Sequence, residues 1–182
     1  MIVSAHDVAV ALRGRLPGLG QKKLHKLLYY CQGHHLATFG EPLFSENIVA
    51  WDMGPVVATL WREERRKMPP PQPHELGEAE LNTIGYVVSR YGKMNANDLE
   101  RLSHTEEPWI TGDERRKRGE PDRIELEWIR TFFARADTDE DEDATASDEV
   151  VAAWLAATEP PATLPPAKPD TREALLARLT GA

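Results

Sequence analysis

Apolar residues recur every three or four positions along most of the chain up to about residue 136, the pattern of helices that bury one face. Ser4 followed by Asp7 resembles a capping box, with Asp in place of Glu or Gln. It predicts a first helix from about Ala5 to Leu16, with Val8, Ala11 and Leu12 inward. Pro17, Gly18 and Gly20 end it. The strongest signal runs from Gln21 to about Thr38. Leu24, Leu27, Leu28, Cys31 and His35 share a face, and Tyr29, Tyr30 and Leu36 widen it, so this helix is expected to be central and mostly buried. Gly40 stops it.

Ile48–Trp51 reads as a short strand, paired with Leu43 and Phe44 in a small hairpin. Pro55 suits the first turn of a third helix, with Val56, Leu60 and Trp61 inward and Arg62, Arg65, Arg66 and Lys67 outward. Four prolines between Met68 and His74 predict an extended loop. A fourth helix fits Glu78 to Tyr91, with Leu81, Ile84 and Val88 on one face. A fifth starts near Asn95 or Asn97 and runs through Leu102, and a sixth, capped by Asp122, carries Ile124, Leu126, Trp128, Ile129, Phe132 and Phe133. The fold class is mainly α: about six helices with a small β-hairpin or short strand element over residues 1–136. Residues 137–182 read as an acidic, Pro-rich C-terminal extension, partly disordered, with short helices.

Charge sharpens that boundary. The net charge is −8, and the segment from Asp137 to Glu149 alone carries eight acids and no base. The remainder holds 22 acidic and 22 basic side chains and is neutral, so the acidity belongs to the extension rather than to the folded part. The single cysteine, Cys31, excludes an internal disulfide and a cysteine metal cluster. Charged residues interrupt the N-terminal apolar positions, and no apolar run approaches the ~20 residues that span a bilayer. A cytoplasmic protein with no membrane contact is expected.

Candidate chemistry is thin. His25, His34 and His35 lack the spacing of four that puts two ligands on one helix face, which favours packing or surface roles and no metal. Cys31 lies on the buried face, away from any helix N-terminus that would activate it. His104 stands near Glu106 and Glu107 without a nucleophile or a phosphate loop, so a structural hydrogen bond is expected of it rather than acid–base work. The clusters Arg62/Arg65/Arg66/Lys67 and Arg115/Arg116/Lys117/Arg118 are interleaved with or flanked by acids, which argues for a solvated helix face or an acidic protein partner over nucleic acid. Of the five tryptophans, Trp154 alone lies in a tail without a core of its own and is a docking candidate.

Several blocks in order resemble one family. They are Lys23–Gly33, Gly40–Phe44, Ile48–Trp51 and Gly54–Val57, continued by Tyr91-Gly92, Leu99–Leu102, His104, Glu107 and Pro108-Trp109. Together they resemble the Panacea domain of SocA-like and GepA-like proteins of phage-related elements, over roughly Ser4 to Ala134. The resemblance implies a mainly helical domain with a small strand element. It also implies an antitoxin that neutralises a protein toxin encoded beside it. It supplies no catalytic residues and no cofactor, so no enzyme is expected. Direct binding of a cognate toxin is the leading reading. The alternatives are an adaptor that also binds a protease component and delivers the toxin to it, and a DNA-binding autoregulator of the operon. The residues expected to meet a partner are Trp51, Asp52, Gly54, Pro55, Trp61, Arg62, Arg65 and Trp154.

Overall fold

A computed structural model describes residues 2–117 and 119–136. Helix α1 (Ala5–Arg15) begins at Ser4, whose hydroxyl accepts the Asp7 amide while the Asp7 carboxylate accepts the Ser4 amide, the reciprocal capping box expected from sequence. Helix α2 (Gln21–Phe39) ends at Gly40, which takes the left-handed conformation at φ 74°. Every residue from Leu24 to Leu36 is buried, so α2 is enclosed on all sides. It packs against α1, α4 (Glu78–Tyr91), α5 (Ala96–His104) and strand β2 (Gly54–Val57).

Burying a whole helix would strand its polar side chains unless neighbours met them. Here those side chains tie the neighbours on. Gln32 accepts the amides of Leu43 (3.0 Å) and Phe44 (3.2 Å) and donates to the Phe44 carbonyl (3.0 Å). His34 Nε2 meets the Tyr91 hydroxyl at 2.9 Å, and His35 Nδ1 meets Thr83 Oγ1 at 2.8 Å, which joins α2 to α4 (Glu78–Tyr91). Burial holds His34 down to about 4, so it serves as a neutral ring. Cys31 is fully buried, and burial pushes its thiol well above its ordinary range.

The strand element differs from expectation. β1 (Ile48–Trp51) pairs antiparallel not with Leu43-Phe44 but with β2 (Gly54–Val57), Ile48 opposite Val57 and Trp51 opposite Gly54. Phe44 instead makes a single parallel bridge to Val3. Gly54 sits at φ 96°, a conformation that lets the chain reverse within Asp52-Met53, and the β-branched Val56 and Val57 then continue as strand. The third helix therefore starts later, as α3 (Ala58–Arg65). Pro55 is not its first residue but lies in β2, an edge strand, where the missing amide breaks no ladder bond.

Helix α5 (Ala96–His104) opens on an Asn95–Asp98 capping box. A helix not anticipated, α6 (Glu107–Arg115), follows with Pro108 in its first turn. The expected sixth helix is also shorter at its start. Asp122-Arg123 form β3, paired with β1 to give the sheet order β2-β1-β3, and α7 runs over residues 126–136. The described residues thus hold seven helices around a three-stranded antiparallel sheet. On α4 the buried positions are Thr83, Ile84, Val87 and Tyr91, whereas Leu81 is exposed. Phe133 of α7 closes an aromatic cluster with Tyr29, Tyr30 and His34, all on α2, at ring separations of 4.8–6.0 Å. The extension 137–182, with its Trp154, lies outside the described residues.

Candidate functional site

The site is built where the β1–β2 hairpin and α3 cross the first turns of α2. Trp51 and Trp61 are half-buried and meet edge to face, ring centroids 4.8 Å apart. Trp109 of α6 donates its indole N–H to the Trp51 carbonyl at 3.2 Å and fixes the hairpin end from below. The Arg65 guanidinium lies 5.0 Å over the Trp61 ring. Asp52, in the turn, is exposed and bonds Arg116 at 2.5 Å. Arg62 is exposed on α3. Gly54 and Pro55 are buried beneath this corner.

Between α2 and the corner lies a cleft of about 410 Å³. Its apolar walls include Trp51, Met53, Val56 and Trp61. Its remaining lining comes from Asp52 and from four residues at the start of α2: Gln21, Lys22, His25 and Lys26. The fold thus brings Trp51, Asp52 and Trp61 together, with Arg65 behind Trp61. It adds His25, Lys26, Met53 and Val56, which periodicity did not single out as site residues. Trp154 is outside the described residues.

Two of these additions are unusual in chemistry. Lys26 is 1 % exposed, and its ammonium donates to the Pro55 carbonyl at 3.1 Å. Burial pushes it down to about 8, against the raising influence of Glu100. Gly54 makes room for it, since a Cβ there would stand 2.7 Å from Lys26 Cε. His25 accepts the Val57 amide at Nδ1 (3.3 Å), and burial holds it down to about 4, so the ring is neutral with its proton on Nε2. That Nε2 is buried and has no hydrogen-bond partner among the described residues. Lys22, by contrast, is ion-paired with Glu100 and donates to Asn97 at 2.9 Å.

The other candidates are structural in placement. Among the described residues His104 makes no side-chain hydrogen bond of the kind expected. Its ring stacks on Trp109, centroids 3.8 Å apart, and its Nε2 is buried without a partner. Of the downstream basic run, Arg115 lies over Trp128 at 5.1 Å, and Arg116 bonds both Asp113 and Asp52. On α3, Glu63 and Glu64 face α1 through His6 (2.6 Å) and Arg13 (2.8 Å), which leaves the arginines outward. Among the described residues no group of three His, Cys, Asp or Glu could hold a metal ion, and no helix is long and apolar enough to cross a membrane.

The family described as antitoxin SocA-like, Panacea domain, matches residues 24–110. That stretch contains α2 from Leu24 onward, the hairpin, α3, α4, α5 and the Trp109 that supports Trp51. No curated protein and no solved structure matches the chain.

Proposed function

We propose, from the membership of residues 24–110 in the SocA-like Panacea antitoxin family, that this chain neutralises a cognate protein toxin by binding it directly. The observation that carries the reading beyond the family is the Trp51–Trp61 corner with its cleft. Half-buried tryptophans beside an arginine are the residues that anchor protein interfaces, because they bury large area with little entropy to lose. Trp51 and Trp61 offer apolar area, and Arg62 and Arg65 offer charge beside it. The chain acts by occlusion rather than by catalysis, in the cytoplasm where its toxin is made.

The acidic residues 137–182 extend the contact in this reading, and Trp154 supplies a second anchor. Such a segment suits a toxin with a basic surface.

The test is co-expression with the toxic open reading frame beside the gene. Wild type is expected to restore growth and to co-purify with the toxin, and Trp61→Ala is expected to weaken binding by about 2 kcal/mol or more, as loss of an interface anchor does. A toxin that is degraded only when the chain is present would favour the adaptor reading instead. A chain lacking residues 137–182 that protects fully would remove the extension from the contact.

A further inference from the structure

We infer that the cleft between α2 and the β1–β2 hairpin is a receptor for a carboxylate carried beside an apolar or aromatic side chain of the partner polypeptide. The inference rests on the antitoxin reading and specifies the chemistry of its contact.

The argument starts from an orphan donor. With Nδ1 accepting from Val57, the neutral His25 ring carries its proton on Nε2; His25 is among the residues lining the cleft, and its Nε2–H is buried and unpartnered among the described residues. A buried donor without an acceptor costs about 1–3 kcal/mol, a cost removed when an acceptor arrives. Lys26 is the next residue along and also lines the cleft. Its bond to the Pro55 carbonyl engages one of three donors, and it joins no ion pair among the described residues. A cation and an unpaired N–H, set among apolar walls, define the complement: an anionic acceptor attached to an apolar body.

The other charges of the lining do not oppose this. Asp52 is its only carboxylate among the described residues, and Arg116 bonds it at 2.5 Å. The charge of Lys22 is met by Glu100. A cationic ligand would face Lys26, a purely apolar one would leave the His25 N–H without an acceptor and the Lys26 charge unmet, and a neutral amide would offer Lys26 no opposite charge. The walls of Trp51, Met53, Val56 and Trp61 take the apolar part, and about 410 Å³ holds a side chain with its terminal or neighbouring carboxylate.

The probe is N-acetyl-L-phenylalanine, with the uncharged N-acetyl-L-phenylalanine amide as its shape-matched control. Both are titrated into the full-length chain and followed by tryptophan fluorescence and the ring-nitrogen shifts of His25. The acid is expected to bind saturably and about tenfold more tightly than the amide, the margin of one charge-assisted hydrogen bond. Lys26→Met is expected to abolish that preference, and Trp61→Ala to weaken both probes alike. If Lys26→Met fails to fold, the acid–amide comparison on wild type still decides. Equal binding of the two, or binding of neither, overturns the inference. The purified chain–toxin complex is expected to have lost acid binding; a complex that still binds it overturns the assignment to the partner. Growth rescue without acid binding defeats this inference alone, whereas acid binding without rescue defeats the antitoxin reading and leaves the carboxylate preference standing.

Discussion

Gly33 and Glu106 show how much single residues of this fold are constrained. A Cβ on Gly33 would stand 2.4 Å from the Phe133 ring, so α7 can lie on α2 only because that position is bare. Gly33→Ala is expected to lower stability by about 1–3 kcal/mol through overpacking, measured by urea denaturation. Glu106, just before α6, is buried and accepts the Tyr30 hydroxyl at 3.0 Å, and burial pushes its carboxyl from 4.5 up to about 7. Its contribution is therefore complete below about pH 4.5 and is lost as pH rises through about 7. His25 and His34, held at about 4, act in the opposite sense: their contribution is present above pH 6.5 and is lost as pH falls toward 4. Glu106→Gln keeps an acceptor for Tyr30 without a charge. It is expected to gain about 1–3 kcal/mol over wild type at pH 8 and little at pH 4, by denaturation at both values. Such residues are hard to read in a sequence. In the sequence Glu106 is one of two adjacent acids near His104, and nothing local marks it as the one that is buried against the tyrosines of α2.

At the level of elements, legibility followed the presence of local signals. The Ser4–Asp7 box and Gly40 fixed the start of α1 and the end of α2 almost to the residue, because caps act over three or four positions. Ser4→Ala is expected to cost about 0.5–2 kcal/mol, read from the thermal midpoint, since it removes the bond to the Asp7 amide. The hairpin was misplaced for a reason that is not local. Gly-Pro suits either a helix start or a turn followed by an edge strand, and pairing with β1 selected the second. Helix α6 was not anticipated, and it holds a proline and a glycine, residues that usually interrupt a helix. In fact Pro108 occupies its first turn, and Gly112 is bare because a Cβ would stand 2.9 Å from Ala50. The cleft was half legible: aromatic residues announced Trp51 and Trp61, but nothing in the spacing of His25 and Lys26 announced a neutral ring and a buried cation.

Over the whole chain, charge is divided between a neutral part and the −8 stretch that begins at Asp137. Outside the acidic stretch acids and bases are equal in number, so long-range attraction to a basic partner would arise in the extension. Removing residues 137–182 is expected to slow association with a basic toxin and to flatten its dependence on ionic strength, while dissociation changes less; stopped-flow association at two salt concentrations measures this. An unchanged salt slope would put the attraction elsewhere.

The way α2 holds its neighbours has a consequence for mutational drift. His25, Lys26 and Gln32 grip main-chain atoms: the Val57 amide, the Pro55 carbonyl, and the amides and carbonyl of Leu43 and Phe44. A bond to the main chain is indifferent to which side chain stands there. The attached segments, and the outer face of α3 that follows β2, can therefore exchange side chains without releasing their anchors. A chain held together in this way can be re-surfaced for a new partner while its interior stays as it is.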